Sequence, residues 1–380
     1  MILLEHEAKC IFKEYGIPVP SGEVAYNGRE ASEISLRYKF PVMIKAQVTV
    51  GGRGKAGGIR SACSSQEAES ITNELLSMEI KGKKVQCVLV EEKLPSINEL
   101  YFGITVDRDN RCYIAMGSSE GGMNIEEVSQ EKIIKVRVDP EFGFRQYHAI
   151  KIAKCMDYTG DQMLKLSRLF VKFYKMTIDK DAELAEVNPL IETSQGEFIA
   201  ADARLPIDDA AIYRHPEFNE ILKKRETELS PQELYAKKCG FSYVKLDGNI
   251  GLIGNGAGLT MATQDMVGYY GGKSANFLDL GGGATADRMY DALSIVLSDS
   301  QVKTVFVNIM GGITRCDEIA KGILKAREQL KYEKPMVIRL VGTNEEEGRR
   351  ILTDEGIAVI DSMEEGAKMV VEIIQKRNKN

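Results

Sequence analysis

From Val244 to the C-terminus one device recurs. The stretches "NIGLIGNGAGLT" (249–260), "NFLDLGGGATA" (276–286) and "VFVNIMGGITRCD" (305–317) each pass from a short apolar run through a glycine-rich turn into an amphipathic stretch. A fourth unit follows in "PMVIRLVGTN" and "EEEGRRILTDEG". Strands alternating with helices in this way make βαβ units, so this part is expected to be an α/β domain built on a doubly wound parallel sheet. In such a sheet the ligand crevice lies beyond the carboxyl ends of the strands, where helix N-termini present amides to anions. A glycine in one such turn can simply allow a tight reversal. Three in one sheet point to a small carboxylate.

At 380 residues the chain is longer than one core usually serves, which implies two or more domains. With 43% hydrophobic and 28% charged residues it has ordinary globular composition. A net charge of -6 gives no global attraction to nucleic acid or to an anionic membrane. The seven cysteines are scattered and include no CxxC pair, which argues against a zinc site or a disulfide framework. No run of about 18 uncharged apolar residues occurs. These features predict a reduced, cytoplasmic protein that binds neither nucleic acid nor membrane. A densely charged stretch, "NEILKKRETELSPQELYAKKCG", reads as exposed helix broken before Pro231 and marks the expected boundary between domains 1–228 and 239–380.

In the first domain "VTVGGRGKAGGIR" (48–60) packs five glycines and three cationic side chains into thirteen residues. Gly52, Gly54 and Gly57 match G-x-G-x-x-G, but no helix starts at the third glycine. The next helical pattern opens at Ser64 or Ser65, so the loop is expected to join two strands. Its tip can fold amides over phosphates, or be a flexible surface hairpin. Lys45, inside the apolar run "FPVMIKAQV", needs an anionic partner to offset its desolvation. A strand from Val85 to Val90 runs into Glu91 and Glu92, and "NELYFGITVDRDNRCYIAMG" reads as a hairpin turning at 107–110. Glu99 could accept hydrogen bonds from ribose hydroxyls, or be a solvated strand end, as could Glu91.

"AELAEVNPLIETSQGEFIAADAR" (182–204) reads as two strands around a Gln195-Gly196 turn. Closure about Gln195 sets Asn188 opposite Asp202 and Glu186 opposite Arg204, with Glu186 and Asn188 on one face. A carboxylate and an amide oxygen together suit Mg²⁺, which takes its remaining ligands from water and substrate phosphates. Polar cross-strand pairs facing water would give the same pattern.

Taken together, "GGRGKAGG", "EVNPL", "LDGNIGLIGNGAGL", "NFLDLGGGAT" and "NIMGGITRCD" resemble the beta subunits of succinyl-CoA synthetase (succinate-CoA ligase, ADP-forming) from about Leu3 to the C-terminus. The resemblance implies an N-terminal ATP-grasp fold followed by a flavodoxin-like CoA-ligase domain that binds the carboxylate and an alpha subunit. It implies that Lys45 and the backbone of Gly52, Arg53 and Gly54 hold nucleotide phosphates, and that Glu91, Leu94 and Glu99 hold base and ribose. Asn188 and Asp202 would ligate one Mg²⁺ per subunit. Glu186 would steady a phosphohistidine, and Asn255 with Gly312, Ile313 and Thr314 would bind succinate.

His6 lies in a helical start, while His148 and His215 lie in polar, turn-like contexts; none occupies a glycine-rich active-site turn. The resemblance places the phosphorylated histidine and most of the CoA site on the separate alpha subunit. The implied activity is an acid-thiol ligase of the citric acid cycle, interconverting succinate, CoA and ATP with succinyl-CoA, ADP and phosphate. Thr49-Val50, "DARLPIDDAA", Met310 and Thr314 depart from the commonest family pattern. They leave malate, met through Thr314, as the alternative acid and GTP as the alternative nucleotide. A non-catalytic nucleotide-binding module is the third alternative, against which Lys45, Glu186, Asn188 and Asp202 are all retained.

Overall fold

The computed structural model describes residues 1–226 and 229–377, so the expected end of the first domain at residue 228 and the last residue, 380, lie outside the described residues. The chain divides into two compact units, Met1–Phe218 and Asn219–Asn380.

The first unit contains two antiparallel sheets and a short hairpin. Strands β1 (Gly22–Ala25), β2 (Val42–Ala46), β3 (Ile59–Ala62) and β6 (Val88–Glu92) form a sheet in the order β1-β6-β2-β3. Helices α2 (Gly28–Ser35) and α3 (Ser65–Ser77) supply Ala31, Ile34, Ala68, Ile71 and Leu75 to its core. Ser64 caps α3 by accepting from Glu67 N at 3.2 Å, so the helix starts at the serine and not at the glycine loop. The two-residue strands β4 (Glu79–Ile80) and β5 (Lys83–Lys84) form a small hairpin before β6, which begins at Val88, three residues later than the apolar run.

A second sheet is ordered β11-β10-β7-β8-β9, from β7 (Asn98–Asp107), β8 (Cys112–Ser118), β9 (Ile134–Val138), β10 (Leu184–Glu192) and β11 (Phe198–Ala200). Helix α5 (Gly160–Asp179) buries Leu166, Leu169, Phe170, Phe173 and Met176, the three-and-four spacing of one helix face. Phe170 stacks on Phe102 of β7 with centroids 3.8 Å apart, and Phe173 meets Phe12 of α1 (Glu5–Glu14) edge-on at 5.0 Å. Helix α1 is thereby fixed by its apolar face. Helix α4 (Gln146–Cys155) carries His148 in its first turn, where the Nδ1 accepts from Arg145 N at 3.0 Å; the turn-like context expected for it is helical.

In the second unit, α6 (Asn219–Glu226) and α7 (Pro231–Lys238) precede a six-stranded sheet, and Ser230 caps α7 by accepting from Glu233 N. The sheet order is β12-β14-β13-β15-β16-β17, with β12 (Ser242–Lys245) antiparallel at one edge. The others, β13 (Ile250–Gly254), β14 (Asn276–Asp279), β15 (Thr304–Gly311), β16 (Met336–Gly342) and β17 (Val359–Ile360), run parallel. Helices α9 (Ala286–Ser298), α10 (Cys316–Leu330) and α11 (Glu345–Asp354) contribute to one core, and α8 (Ala257–Tyr269) and α12 (Met363–Arg377) to the other. Strand β13 is buried along its whole length, as a strand covered on both faces must be. This is the doubly wound, flavodoxin-like arrangement. Because β14 and β15 flank β13 on opposite sides, the connections diverge there and leave a crevice at the strands' carboxyl ends.

Candidate functional site

In the first unit the glycine loop joins β2 to β3, whose register sets Lys45 against Ile59. Within the loop, Ala56 N bonds Gly52 O, Gly57 N bonds Gly54 O and Gly58 N bonds Arg53 O. These bonds hold the loop's second half and do not use the amides of Gly52, Arg53 and Gly54. A side chain built on Gly54 would meet no atom within 4 Å. The tip is therefore open to a ligand, and Gly54→Ala separates folding from binding. It should change stability by less than about 0.5 kcal/mol and weaken Mg-nucleotide binding, read by calorimetry beside a thermal melt; undiminished binding would show that no phosphate approaches this amide.

Beneath the loop lies a buried charge cluster. The Lys45 Nζ donates to Glu5 Oε1 at 3.1 Å, Glu91 Oε1 at 2.5 Å and Ala201 O at 2.6 Å. The Arg53 Nη1 reaches Glu5 Oε2 at 2.6 Å and its Nη2 reaches Asp202 Oδ1 at 2.7 Å. Burial works against the Lys45 ammonium, but Glu5, Glu91 and Asp202 outweigh it and hold the pKa above the usual lysine value. Likewise burial opposes the Glu5 carboxylate, yet Arg53, Lys45 and Lys9 keep its pKa well below the ordinary value. The partner that Lys45 requires is thus double. Glu91 is one of those partners, and its side chain is 2% exposed. Leu94 is half-buried and Glu99 exposed.

The hairpin of β10 and β11 closes with Leu190 opposite Ala200, and Glu186 bridges Arg204. Asn188 and Asp202 lie between these two pairings, where the strand is irregular. Asn188 Oδ1 accepts from Gly122 N at 2.8 Å, and its Nδ2 donates to Met123 O at 2.7 Å. Gly121 N in turn bonds Glu99 O at 2.8 Å, so one short turn joins Glu99 to Asn188. A side-chain carbon on Gly121 would fall 2.3 Å from Leu100 O, and Gly122 has φ +73°; both positions require glycine. The pair in "SSEGGMN" was the available signal for this turn.

Glu186 receives a hydrogen bond from the Tyr101 hydroxyl and lies 3.5 Å from the Arg204 guanidinium. Burial raises its pKa above the ordinary 4.5, against the pull of Arg204. Gly103 stands directly opposite Glu186, and a side-chain carbon there would come 2.6 Å from the Tyr101 hydroxyl. Without one, the phenol crosses the strand to the carboxylate. Neither Tyr101 nor Gly103 stood out in the sequence.

In the second unit the crevice is tied by Asn255, just beyond β13. Its Oδ1 accepts from Met310 N at 2.8 Å and its Nδ2 donates to Met310 O at 2.9 Å. Thr314 Oγ1 accepts from Gly283 N at 3.0 Å and lies 3.4 Å from Asn255 Nδ2. The ends of β13 and β15 and the turn after β14 are thus held by two side chains. Ile313 is 86% exposed at the tip, whereas Thr314 is 1% exposed. Thr314→Val should cost about 1–3 kcal/mol by leaving the Gly283 amide unpaired, with an unchanged succinate-to-malate rate ratio. A changed ratio would mean that the hydroxyl reaches the substrate.

Residues 2–192 match the family described as ATP-grasp domain, and residues 253–372 match CoA-ligase. The chain is 46% identical over 376 residues to the succinate--CoA ligase [ADP-forming] subunit beta of Staphylothermus marinus, covering 98% of each chain. It is 47% identical over 378 residues to the succinate--CoA ligase [GDP-forming] subunit beta of Thermus thermophilus, covering 98% of this chain and 99% of the other. Among solved structures, ATP citrate lyase from Methanothrix soehngenii, in complex with citrate and coenzyme A, aligns with a TM-score of 0.75 over 99% of both chains. At 19% identity that likeness concerns the fold alone. An ATP-grasp domain followed by a CoA-ligase domain, with full-length identity to these subunits, places the chain in the family of succinate–CoA ligase beta subunits.

Proposed function

We propose that the chain is the nucleotide-using half of a cytoplasmic succinate–CoA ligase, working with an alpha subunit that carries a histidine. The observation that carries this reading is the joining of two elements: β10 carries Glu186, bridged to Arg204, and Asn188, while Asp202, just beyond β11, is bonded to Arg53 of the glycine loop. The first domain, 1–228, would serve the nucleotide, and the second, 239–380, the carboxylate and the partner. No described helix is long and apolar enough to cross a membrane.

A hard cation fits the donor set. Asn188 offers an amide oxygen with one lone pair beyond its bond to Gly122 N, and Asp202, whose side chain is 31% exposed, offers a carboxylate. Mg²⁺ bound there would neutralise charge on the nucleotide phosphates. Gly52, Arg53 and Gly54 would direct amides at those phosphates, with Lys45 and Arg53 supplying positive charge below. Glu99 lies beside the turn at Gly121 and can accept from ribose hydroxyls.

Glu186 would accept the ring N–H of the partner's histidine and turn the other nitrogen toward the γ-phosphorus. The phosphoryl group passes to that nitrogen as the bond to ADP breaks. It then passes to succinate, held at the Gly312–Thr314 turn, and the CoA thiolate displaces phosphate from the acyl phosphate. Asn255 fixes that turn through Met310 and Thr314.

The test is CoA- and succinate-dependent ADP formation from Mg-ATP by the chain alone and with a co-expressed alpha subunit. Malate and GTP replace succinate and ATP in parallel. Turnover only in the mixture, fastest with succinate and ATP, is expected. Turnover by the chain alone would overturn the division of labour, a malate preference would reassign the acid, and nucleotide binding without turnover would leave a non-catalytic module.

A further inference from the structure

Stability alone is a poor account of six ionic groups buried or half-buried beneath the glycine loop. Buried pairs are often replaceable by apolar residues of like volume without loss. Two members, Glu5 and Lys9, sit one turn apart on α1 and belong to no step described above. The Lys9 Nζ donates to Glu5 Oε1 at 2.7 Å, Glu91 Oε2 at 2.6 Å and Ala201 O at 2.8 Å. An ammonium has three protons, so these acceptors saturate it, and at 5% side-chain exposure it has none to offer a ligand. Lys45 is bonded to the same three residues, through the other oxygen of Glu91, so it too has no proton free and would act on a phosphate through its charge. The two lysines differ in position: Lys45 is on β2, which leads directly into the glycine loop, whereas Lys9 is behind it on α1.

We propose that Lys9 is a positioning residue for the nucleotide, a counter-charge that neutralises Glu5 and Glu91 so that Lys45 and Arg53 keep their positive charge available to phosphates. This rests on the nucleotide reading above. The cluster sums to zero, with Lys9, Lys45 and Arg53 against Glu5, Glu91 and Asp202. Without Lys9 it carries one net negative charge directly beneath the site for a triphosphate, in a setting where screening by water is weak. Glu5 has the complementary part. It takes Lys45 on one oxygen and Arg53 on the other, so it fixes the loop's guanidinium from below.

The experiment uses the chain co-expressed with its alpha subunit, and measures Mg-ADP binding by calorimetry together with KM for ATP and for succinate. Lys9→Met keeps length and removes the charge; it should raise the Mg-ADP Kd and the ATP KM about tenfold or more, the scale of one uncompensated charge in a poorly screened site. The succinate KM should stay unchanged. Lys9→Met combined with Glu5→Gln restores neutrality while leaving an amide oxygen for Arg53, and should return the Kd to within about threefold of wild type. A merely structural Lys9 would make the double variant no better than the single one. That result, an unchanged Kd in Lys9→Met, or an equal rise in the succinate KM would overturn the proposal. If Lys9→Met alone does not fold, the double variant still decides, and a Kd more than about tenfold above wild type would count against it. Wild-type binding of Mg-ADP without turnover would sink the ligase reading and leave this test intact.

Discussion

Glu186→Gln is expected to slow phosphorylation of the partner's histidine by about a hundred- to a thousandfold, the scale on which removal of one oriented electrostatic group reduces turnover. The fold should not change. Glutamine matches glutamate in shape, its amide oxygen can still accept from Tyr101, and the position is at a strand bridge to Arg204 whose backbone bonds remain. What disappears is the negative charge that, on the proposed mechanism, would hold an imidazole N–H and stabilise the cation formed as the ring is phosphorylated. Nucleotide binding should be nearly untouched, because Lys45, Arg53 and Asp202 are intact. Rapid-quench measurement of phosphohistidine from radiolabelled ATP, beside calorimetric Mg-ADP binding, separates the two effects. Phosphorylation at the wild-type rate would remove Glu186 from the mechanism. A matching loss of Mg-ADP binding would place it in the nucleotide site instead.

What could be read in the sequence follows the range of the interactions. The hairpin around Gln195 was legible because strand register is local: once the turn is set, symmetry pairs Glu186 with Arg204. The glycine loop and the crossovers were legible for the same reason, since turn chemistry lies within a few residues. Lys9 and Glu5 were not. A Glu–Lys pair four residues apart on an amphipathic helix ordinarily marks a solvent face, and only packing through Phe12 and Phe173 turns this one inward. The ion pairs of Glu91 were hidden in the same way: a carboxylate at a strand end reads as solvated, and its partners come from α1 and β2. The partners of the Thr314 hydroxyl were not legible either. Its burial depends on Gly283 and Asn255, which lie in other crossovers. Tyr101 reaches Glu186 only because Gly103 leaves the strand bare at that register, a relation that a single strand cannot display.

Lys45→Met should destabilise the first unit by about 3–5 kcal/mol, the usual cost of stripping one partner from a buried ionic group. The ammonium is one of three cations balancing three carboxylates, and Glu5 and Glu91, at 1% and 2% side-chain exposure, cannot turn to water when it is gone. Methionine fills the space and leaves one buried charge uncompensated. Asp202→Asn gives the contrast: its side chain is 31% exposed, so water can solvate what remains, and it should cost less than about 1 kcal/mol while impairing Mg-nucleotide use. The network also makes this unit acid-sensitive. Because Arg53, Lys45 and Lys9 hold the Glu5 pKa below its ordinary 4.5, the stability it supplies is fully present above that value and is lost as pH falls toward the folded-state pKa. Hydrogen exchange read separately in peptides from α1 and β2, and from β13 and β15, distinguishes the units. Faster exchange of the first pair in Lys45→Met, with the second pair unaffected, is expected. Wild-type protection in α1 and β2 would mean that the cluster adds nothing to folding and that Lys45 is held there for the nucleotide alone.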